Sequence, residues 1–401
     1  MKWDMQTALW ERVATGVALL FLLLFSYHTL DASQAWKDFF ETSMLPFMEE
    51  PQIDESTLSS LTSQFEGAIQ EAIPMKLSWI EFHGVLQDVQ QKKVIPDLNY
   101  GSLYKTSDGQ ISFGSPRLEV EEDAHTLSEV SQQLESLSIP FLYVQAPYKL
   151  APDQNQLPYQ IKEYGNDNAD RLLTALQEEQ VPIYDMREGY FHAGMSQSEL
   201  FFNTDHHWTI PGALMATRLL AQEINQYLDS DIDSTLFTEE SFQFEVFEDF
   251  FLGSLGKRVG VSYSGLDDFT VVTPKFDTEF TVSIFNYGAW STKEGSFSDA
   301  ILVSDFLDPN LPVETNRYAA YNGDHEIIRI QNHEVKGKKI LMIKDSYGLP
   351  IYSFLACGVE EVTALDLRLY RQSVIDFAKE YQPDIVLYLF NADAVGRGSF
   401  K

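Results

Sequence analysis

Cysteine is almost missing from this chain. Cys357 is the single one among 401 residues, so no intrachain disulfide can form, which removes the easiest marker of an exported protein without excluding export. Basic residues are scarce as well: 28 lysines and arginines stand against 60 acids, for a formal net charge of −32. A surface that acidic repels polyanions at range and argues against a nucleic-acid partner. The G-x-S-x-G elbow of ordinary α/β-hydrolases is absent, and so are the H-E-x-x-H and H-x-x-x-H helices of many zinc sites. No internal repeat or low-complexity tract interrupts the sequence.

What is there suffices for a folded body. A hydrophobic content of 44% with 13% aromatics is ample for a core. The length allows two or three domains, or one large α/β domain with insertions.

The one long uncharged run, "VATGVALLFLLLFSYHTL" from Val13 to Leu30, has the length of a membrane-spanning helix. Lys2 and Arg12 precede it and Asp31 follows, although Asp4 and Glu11 keep the charge bias slight. Residues 1–30 are therefore expected to be a cytoplasmic start and transmembrane anchor, with the rest of the chain outside the cytoplasmic membrane. A cleaved signal peptide is the competing reading. It rests on small residues around Ala32 and Ala35, without a clear A-x-A site.

Residues 31–95 read as a helical stalk or connecting region. Leu58, Leu61, Phe65, Ile69 and Ile73 recur at helical spacing, and Pro74 closes the run. From about 120, helices and strands alternate. "DAHTLSEVSQQLESLSI" is a helix, "PFLYVQAP" a buried strand, "NADRLLTALQEEQ" a helix and "VPIYDM" a strand. A further helix starts near Thr209, with Pro211 in its first turn. A β-rich insertion occupies about 235–335, where "DDFTVVTPKFDTEFTVSIF" alternates like antiparallel strands. The alternation resumes with "KKILMIKDS", "PIYSFLAC", "EEVTALDL", "QSVIDFAKEY" and "PDIVLYLF". This rhythm predicts an α/β fold with a doubly wound, mostly parallel sheet.

Active groups of such sheets gather at the carboxyl ends of the strands, and two candidates sit there. One is Asp205-x-His207 in "FFNTDHHWTIPG"; the other is "LMIKDSYGLP", where an apolar strand runs into Asp345 and Ser346. Together they supply a hydroxyl nucleophile, a histidine to take its proton and an acid to orient that histidine. In an extended loop, residues two apart share a side, so Asp205 can reach one nitrogen of His207 while the other faces outward. His206 then points away toward the scaffold, and Trp208 packs beneath the loop. A metal site drawn from His192, Asp205, His206 and His207 is the chemical rival.

"TDHHWT" followed by Pro211-Gly212-Ala213, then "KDSYGLPIYSFL" and "DLRLY", closely resemble the DHHW protein family. More distantly they are similar to the SGNH-like acetylation proteins of alginate biosynthesis, whose corresponding loop reads D-x-H-W. The resemblance spans about residues 95–401. It implies an SGNH-like catalytic domain over 96–401 in which the histidine precedes the serine, here by 346 − 207 = 139 positions. By resemblance Ser346 is the nucleophile, His207 the base and Asp205 its orienting acid. Tyr352, Arg368 and Lys149 match positions that line the site. Lys344-Asp345-Ser346 stands where SGNH enzymes carry Gly-Asp-Ser, and the usual glycine and asparagine oxyanion blocks are not evident. The Ser346 amide and Gly323 of "AYNGDH" are the candidate donors.

The implied activity is serine-dependent O-acetyl transfer to a cell-surface or secreted polysaccharide, with no metal or organic cofactor. The acetyl group would be delivered by a multi-pass membrane acyltransferase. A carbohydrate acetyl esterase uses the same machinery, and a non-catalytic polysaccharide-binding or assembly protein of the same fold is the alternative from another class.

Overall fold

A strand that is apolar at every position needs cover on both faces, and "IVLYLF" and "FLYVQ" are of this kind. In the computed structural model of the chain both are buried at every residue. The structure describes residues 76–401 except 152–155, 159–160 and 287, with scattered positions between 37 and 64. The chain divides into two units, 1–82 and 83–401, and the second holds the sheet and the candidate site. Among the described residues its strands are β1 (Val94–Asp97), β2 (Gly101–Lys105), β3 (Ile111–Ser112), β4 (Phe141–Gln145), β5 (Ile183–Asp185), β6 (Phe242–Phe251), β7 (Asp267–Pro274), β8 (Phe280–Asn286), β9 (Ala289–Gly295), β10 (Ile327–Asn332), β11 (Lys339–Lys344), β12 (Glu361–Asp366) and β13 (Ile385–Phe390).

Eight of them form one sheet in the order β5-β4-β13-β11-β12-β10-β8-β9. The first five run parallel and the last three join antiparallel. The pleat divides the core in two. Leu142, Met342, Leu387 and Ala364 face one side, packed with Leu214, Leu220, Ile351 and Phe354 of the helices Ile210–Leu228 and Gly348–Leu355. Tyr143, Ile343, Tyr388 and Leu365 face the other, against Leu127, Leu172 and Ala378 of the helices Glu121–Ser136, Gly165–Glu178 and Val374–Tyr381. Each fully buried aliphatic side chain contributes about 1.5–3 kcal/mol relative to exposure. The mixed α/β fold expected from the alternating rhythm is thus present, with helices on both faces of a large sheet.

The aromatic-rich segment between 235 and 335 is distributed rather than set apart. β8 and β10 continue the main sheet, whereas β6 and β7 form a separate antiparallel ribbon. The run "DDFTVVTPKFDTEFTVSIF" therefore does not fold on itself: β7 ends at Pro274, which has no N–H to extend a ladder, and β8 restarts at Phe280 in another sheet. The helix near Thr209 begins as its sequence requires. Thr209 Oγ1 accepts the Gly212 N–H at 3.1 Å, and Pro211 occupies the first turn.

The uncharged run Val13–Leu30 and most of the helical pattern from Leu58 to Ile73 lie outside the described residues. Among the described residues no helix is long and apolar enough to cross a membrane.

Candidate active site

The loop bearing Asp205 and His207 is a narrow hairpin. Thr209 N donates to Leu200 O at 2.7 Å and Phe202 N to His207 O at 3.2 Å, and Phe201 bridges Trp208. The buried rings of Phe201, Phe202 and Trp208 root its base in the core, leaving residues 203–207 as a bent tip at the carboxyl edge of the sheet. The opposing segment leaves β11 at Lys344. There the Asp345 carboxylate accepts the N–H groups of Tyr347 and Asn391, each at 2.9 Å, fixing the turn that carries Ser346.

The two segments meet. Ser346 Oγ lies 2.8 Å from His207 Nε2, and His207 Nδ1 lies 2.6 Å from Asp205 Oδ1. The chain of polarity is set by the carboxylate, which can only accept. Nδ1 therefore carries a proton, and in the neutral ring Nε2 is the accepting nitrogen that faces the serine hydroxyl. Asp205 Oδ1 also accepts the main-chain N–H of His207 at 3.0 Å, and Oδ2 accepts that of Ser254 at 2.5 Å. The loop is thus a turn closed by the aspartate, not the extended segment expected from the spacing; the same two residues meet because the carboxylate binds both main chain and ring. Burial pushes the Asp205 carboxyl up, but His207, His206 and the two donated hydrogen bonds outweigh it and hold the group well below the usual carboxylate range.

A layer beneath these three residues keeps the tip in place. Lys149 is buried, and its ammonium donates to the carbonyls of Ile111 (2.6 Å), Asn203 (3.1 Å) and Asp205 (2.6 Å). Burial lowers its pKa to about 8, against the opposing pull of Asp267 and Asp205. Asp267, at the start of β7, accepts the Asn203 and Thr204 amides and the Thr204 hydroxyl at 2.5–2.7 Å. A Cβ on Gly253 would overlap Asp205 Cβ and the Thr204 carbonyl, so only glycine lets the Ser254 amide reach the carboxylate. None of Asn203, Thr204, Gly253, Ser254 or Asp267 carries a sequence signal by itself. They are brought together from the hairpin and from the aromatic-rich segment.

Two expected site residues take other roles. With every ammonium proton committed to a main-chain carbonyl, Lys149 braces the loop instead of lining the site. Tyr352 is fully buried, its hydroxyl within 3.2 Å of Tyr321 O and 3.1 Å of Gly323 O. It shapes the turn at Asn322 and Gly323, both left-handed at φ +73° and +67°, and presents no hydroxyl to a substrate. Gly323 makes no hydrogen bond to Ser346 among the described residues. The Ser346 amide, just ahead of the helix Gly348–Leu355, has no acceptor among the described residues, which leaves it open for an oxyanion.

Lys344, standing where a glycine was expected, is wholly buried between Asp324 (2.9 Å) and Asp366 (3.1 Å). Arg368 closes the same network, its Nε and Nη2 on Asp366 at 2.9 and 2.5 Å and Nη2 on Asp324 at 2.8 Å. Its side chain is 49% exposed, and Nη1 makes no hydrogen bond among the described residues, so one edge of the fork stays available.

His206 does not point toward the scaffold as expected. Its ring lies against His207, tilted by 36° with centroids 3.9 Å apart, and its Nδ1 is 3.0 Å from Ser254 Oγ. Burial, reinforced by His207, lowers its pKa to about 3, so it is neutral near pH 7. Trp208 is buried beneath the loop as expected and donates from Nε1 to Tyr318 Oη at 2.9 Å. The metal rival keeps only part of its ligand set. Donor atoms of Asp205, His206 and His207 lie within 4.8 Å of one another, whereas His192 sits exposed on the helix Met186–Ala193. Both Asp205 oxygens and both His207 nitrogens are already bonded within the site, which suits a proton relay better than a chelate.

Residues 108–254 match the family model described as the SGNH hydrolase-like domain of the acetyltransferase AlgX. That span includes Asp205, His207 and Ser254 and stops short of Ser346. No curated protein matches the chain. Among solved structures, the fold is similar to a DHHW family protein from Eubacterium siraeum DSM 15702, with a TM-score of 0.56 at 17% identity over 76% of this chain and 94% of the other. It is also similar to Bacillus cereus PatB1, with a TM-score of 0.59 at 20% identity over 77% and 98% of the two chains. PatB1 solved with a sulfonyl adduct aligns with a TM-score of 0.61 at 20% identity over 77% and 99%. The resemblance to DHHW and SGNH-like proteins, and the more distant one to AlgX, is thereby shown.

Proposed function

We propose that the chain is a serine-dependent O-acyltransferase, transferring acetyl groups to the hydroxyls of a cell-surface or secreted polysaccharide. The observation that carries this reading is the unbroken line Ser346 Oγ, His207 Nε2, His207 Nδ1, Asp205 Oδ1, with steps of 2.8 and 2.6 Å. The AlgX-like family match over residues 108–254 supports polysaccharide O-acetylation in general.

In the first half-reaction Ser346 Oγ attacks the acetyl carbonyl while its proton passes to His207 Nε2. Asp205 holds the imidazolium, and the Ser346 amide meets the oxyanion. Collapse expels the donor's oxygen, which takes the proton from His207, and leaves Ser346 acetylated. In the second half-reaction a sugar hydroxyl gives its proton to His207 Nε2 and attacks the ester carbonyl. Collapse breaks the Oγ–acyl bond, Ser346 Oγ takes that proton back from His207, and the acetylated sugar leaves. No step needs a metal or an organic cofactor. Water in place of the sugar makes the same site an esterase.

The test has two stages. Phenylmethanesulfonyl fluoride should form one Oγ–S bond at Ser346 with loss of fluoride, seen by mass spectrometry of a tryptic digest. A chromogenic acetyl ester, incubated with and without an oligosaccharide, should then yield acetylated sugar. Ester turnover that survives Ser346→Ala sinks the proposal, and turnover that never reaches a sugar reduces it to an esterase.

Arg368 is proposed to hold the substrate with its free edge. Arg368→Ala should lower kcat/KM by roughly 10- to 100-fold, the size of a hydrogen bond to a charged group, with the circular dichroism spectrum unchanged. Full activity would return the residue to a surface ion pair.

The run Val13–Leu30 is proposed to anchor the chain, placing residues from about 31 onward outside the cytoplasmic membrane, where a multi-pass membrane acyltransferase would supply the acetyl group. Protease added to intact cells should digest the region around Asp205; protection of that region is the contrary result.

A further inference from the structure

Two rings pack close against the base His207. One is His206, tilted by 36° at a centroid distance of 3.9 Å. The other is Tyr318, from the short helix Arg317–Ala320, stacked on His207 with ring centroids 4.1 Å apart and planes 22° from parallel. No local pattern singles out Tyr318, which sits well before Ser346 in an unpatterned stretch. Its ring is not free to move. Tyr318 Oη accepts the Trp208 indole N–H at 2.9 Å and lies 3.5 Å from Tyr347 O, and the side chain is 1% exposed. A second tyrosine completes the frame: Tyr347 Oη donates to His206 O at 2.6 Å, tying the serine segment to the histidine loop.

We infer that Tyr318 is a positioning residue for the acyl-transfer step, its electron-rich face aligning the His207 ring and stabilising the positive charge that ring acquires when it takes the proton of Ser346. The inference rests on the proposed Ser346-His207-Asp205 triad. A stacked arene supports a cation through its quadrupole, and the attraction grows where water is excluded. Before proton transfer the ring carries no proton from Ser346 and the face only orients it. Once the proton arrives the same contact strengthens, so it acts more in the transition state than in the ground state, the condition for raising kcat and not merely binding. Asp205 meets the imidazolium in the ring plane, and Tyr318 meets it from above. The neighbouring His206 ring is neutral near pH 7 and adds no competing charge.

The experiment replaces position 318 in the full chain and measures hydrolysis of an acetyl ester. Tyr318→Phe keeps the face and loses only the hydroxyl contacts to Trp208 and Tyr347, so kcat should stay within a few-fold of the parent. Tyr318→Leu should lower kcat by roughly 3- to 30-fold with KM little changed, the range of a desolvated cation–π contact. A ring-fluorinated phenylalanine at 318 has the shape of phenylalanine and a depleted face; its kcat should fall between the two. This third variant guards against misfolding, because it packs as Phe does. A kcat that is the same with phenylalanine and its fluorinated analogue overturns the role of Tyr318 while leaving the triad intact. Absence of any Ser346-dependent turnover in the parent protein overturns both.

Discussion

Ser346→Ala and His207→Ala should each remove roughly three to six orders of magnitude of ester turnover, and the double variant should lose little more than either alone. The reason is in the two contacts they share. Without His207 the serine hydroxyl keeps its proton at neutral pH and is a poor nucleophile; without Ser346 the base has nothing to activate. Either loss disables the same unit, so the free-energy penalties do not add. The measurement is kcat/KM on an acetyl ester for the two single variants and the double. Additive losses would mean that the two residues act in separate steps, and a loss below about tenfold for His207→Ala would remove it as the base. His206→Ala is the internal contrast. Its Nδ1 lies 3.0 Å from Ser254 Oγ and it makes no hydrogen bond to Ser346 among the described residues, so its effect should run through loop placement and stay far smaller.

Much of this site was legible because the residues proposed to do the chemistry are also those with local signals. Asp205 and His207 lie two apart, and Ser346 ends an apolar strand whose burial on both faces is written in its composition. The sheet was legible for the same reason: β4, β11, β12 and β13 are short apolar runs between helical periods, which reads as a mostly parallel sheet, although their order in it was not legible. The supporting layer was not legible. Ser254 and Gly253 follow β6, Asp267 opens β7, and Tyr318 sits between strands of the extended sheet; each is an ordinary residue until the fold sets it against the hairpin. Resemblance misplaced Lys149 and Tyr352 for a related reason. A position can be kept near a site because its side chain braces the main chain there, as three carbonyls on one ammonium do here, without any contact to what binds. Lys344 shows the converse: a residue that looked like a defect in the serine motif is accommodated by two carboxylates, Asp324 and Asp366, that the sequence places far from it.

Asp205→Asn isolates the third member, with an expected loss of roughly 10³- to 10⁴-fold in kcat/KM. The native carboxylate accepts three N–H groups, from the His207 main chain, the His207 ring and the Ser254 main chain. An amide has one accepting oxygen and one donating nitrogen, so it cannot satisfy all three. If the oxygen stays toward His207, the amide NH2 confronts the Ser254 N–H, donor against donor, and the turn at Gly253 must open. If the amide flips, its NH2 faces His207 Nδ1, the ring proton moves to Nε2, and the base then offers Ser346 a donor where it needs an acceptor. The first outcome removes the charge that supports the imidazolium and shifts the turn, the second leaves the wrong tautomer, and both weaken the base while Ser346 and His207 themselves are unchanged. The low pKa of Asp205 sharpens the test. Its folded pKa is depressed, so its charge is present above the usual carboxylate range, and its contribution to stability is lost only as pH falls through the lower folded value. Across neutral pH the parent therefore keeps its full charge, and titration of Asp205 itself adds no step to the pH profile there. A variant whose activity recovers at neutral pH, or loses less than about tenfold, would show that Asp205 merely closes the turn and that His207 is oriented by its neighbours His206 and Tyr318 alone.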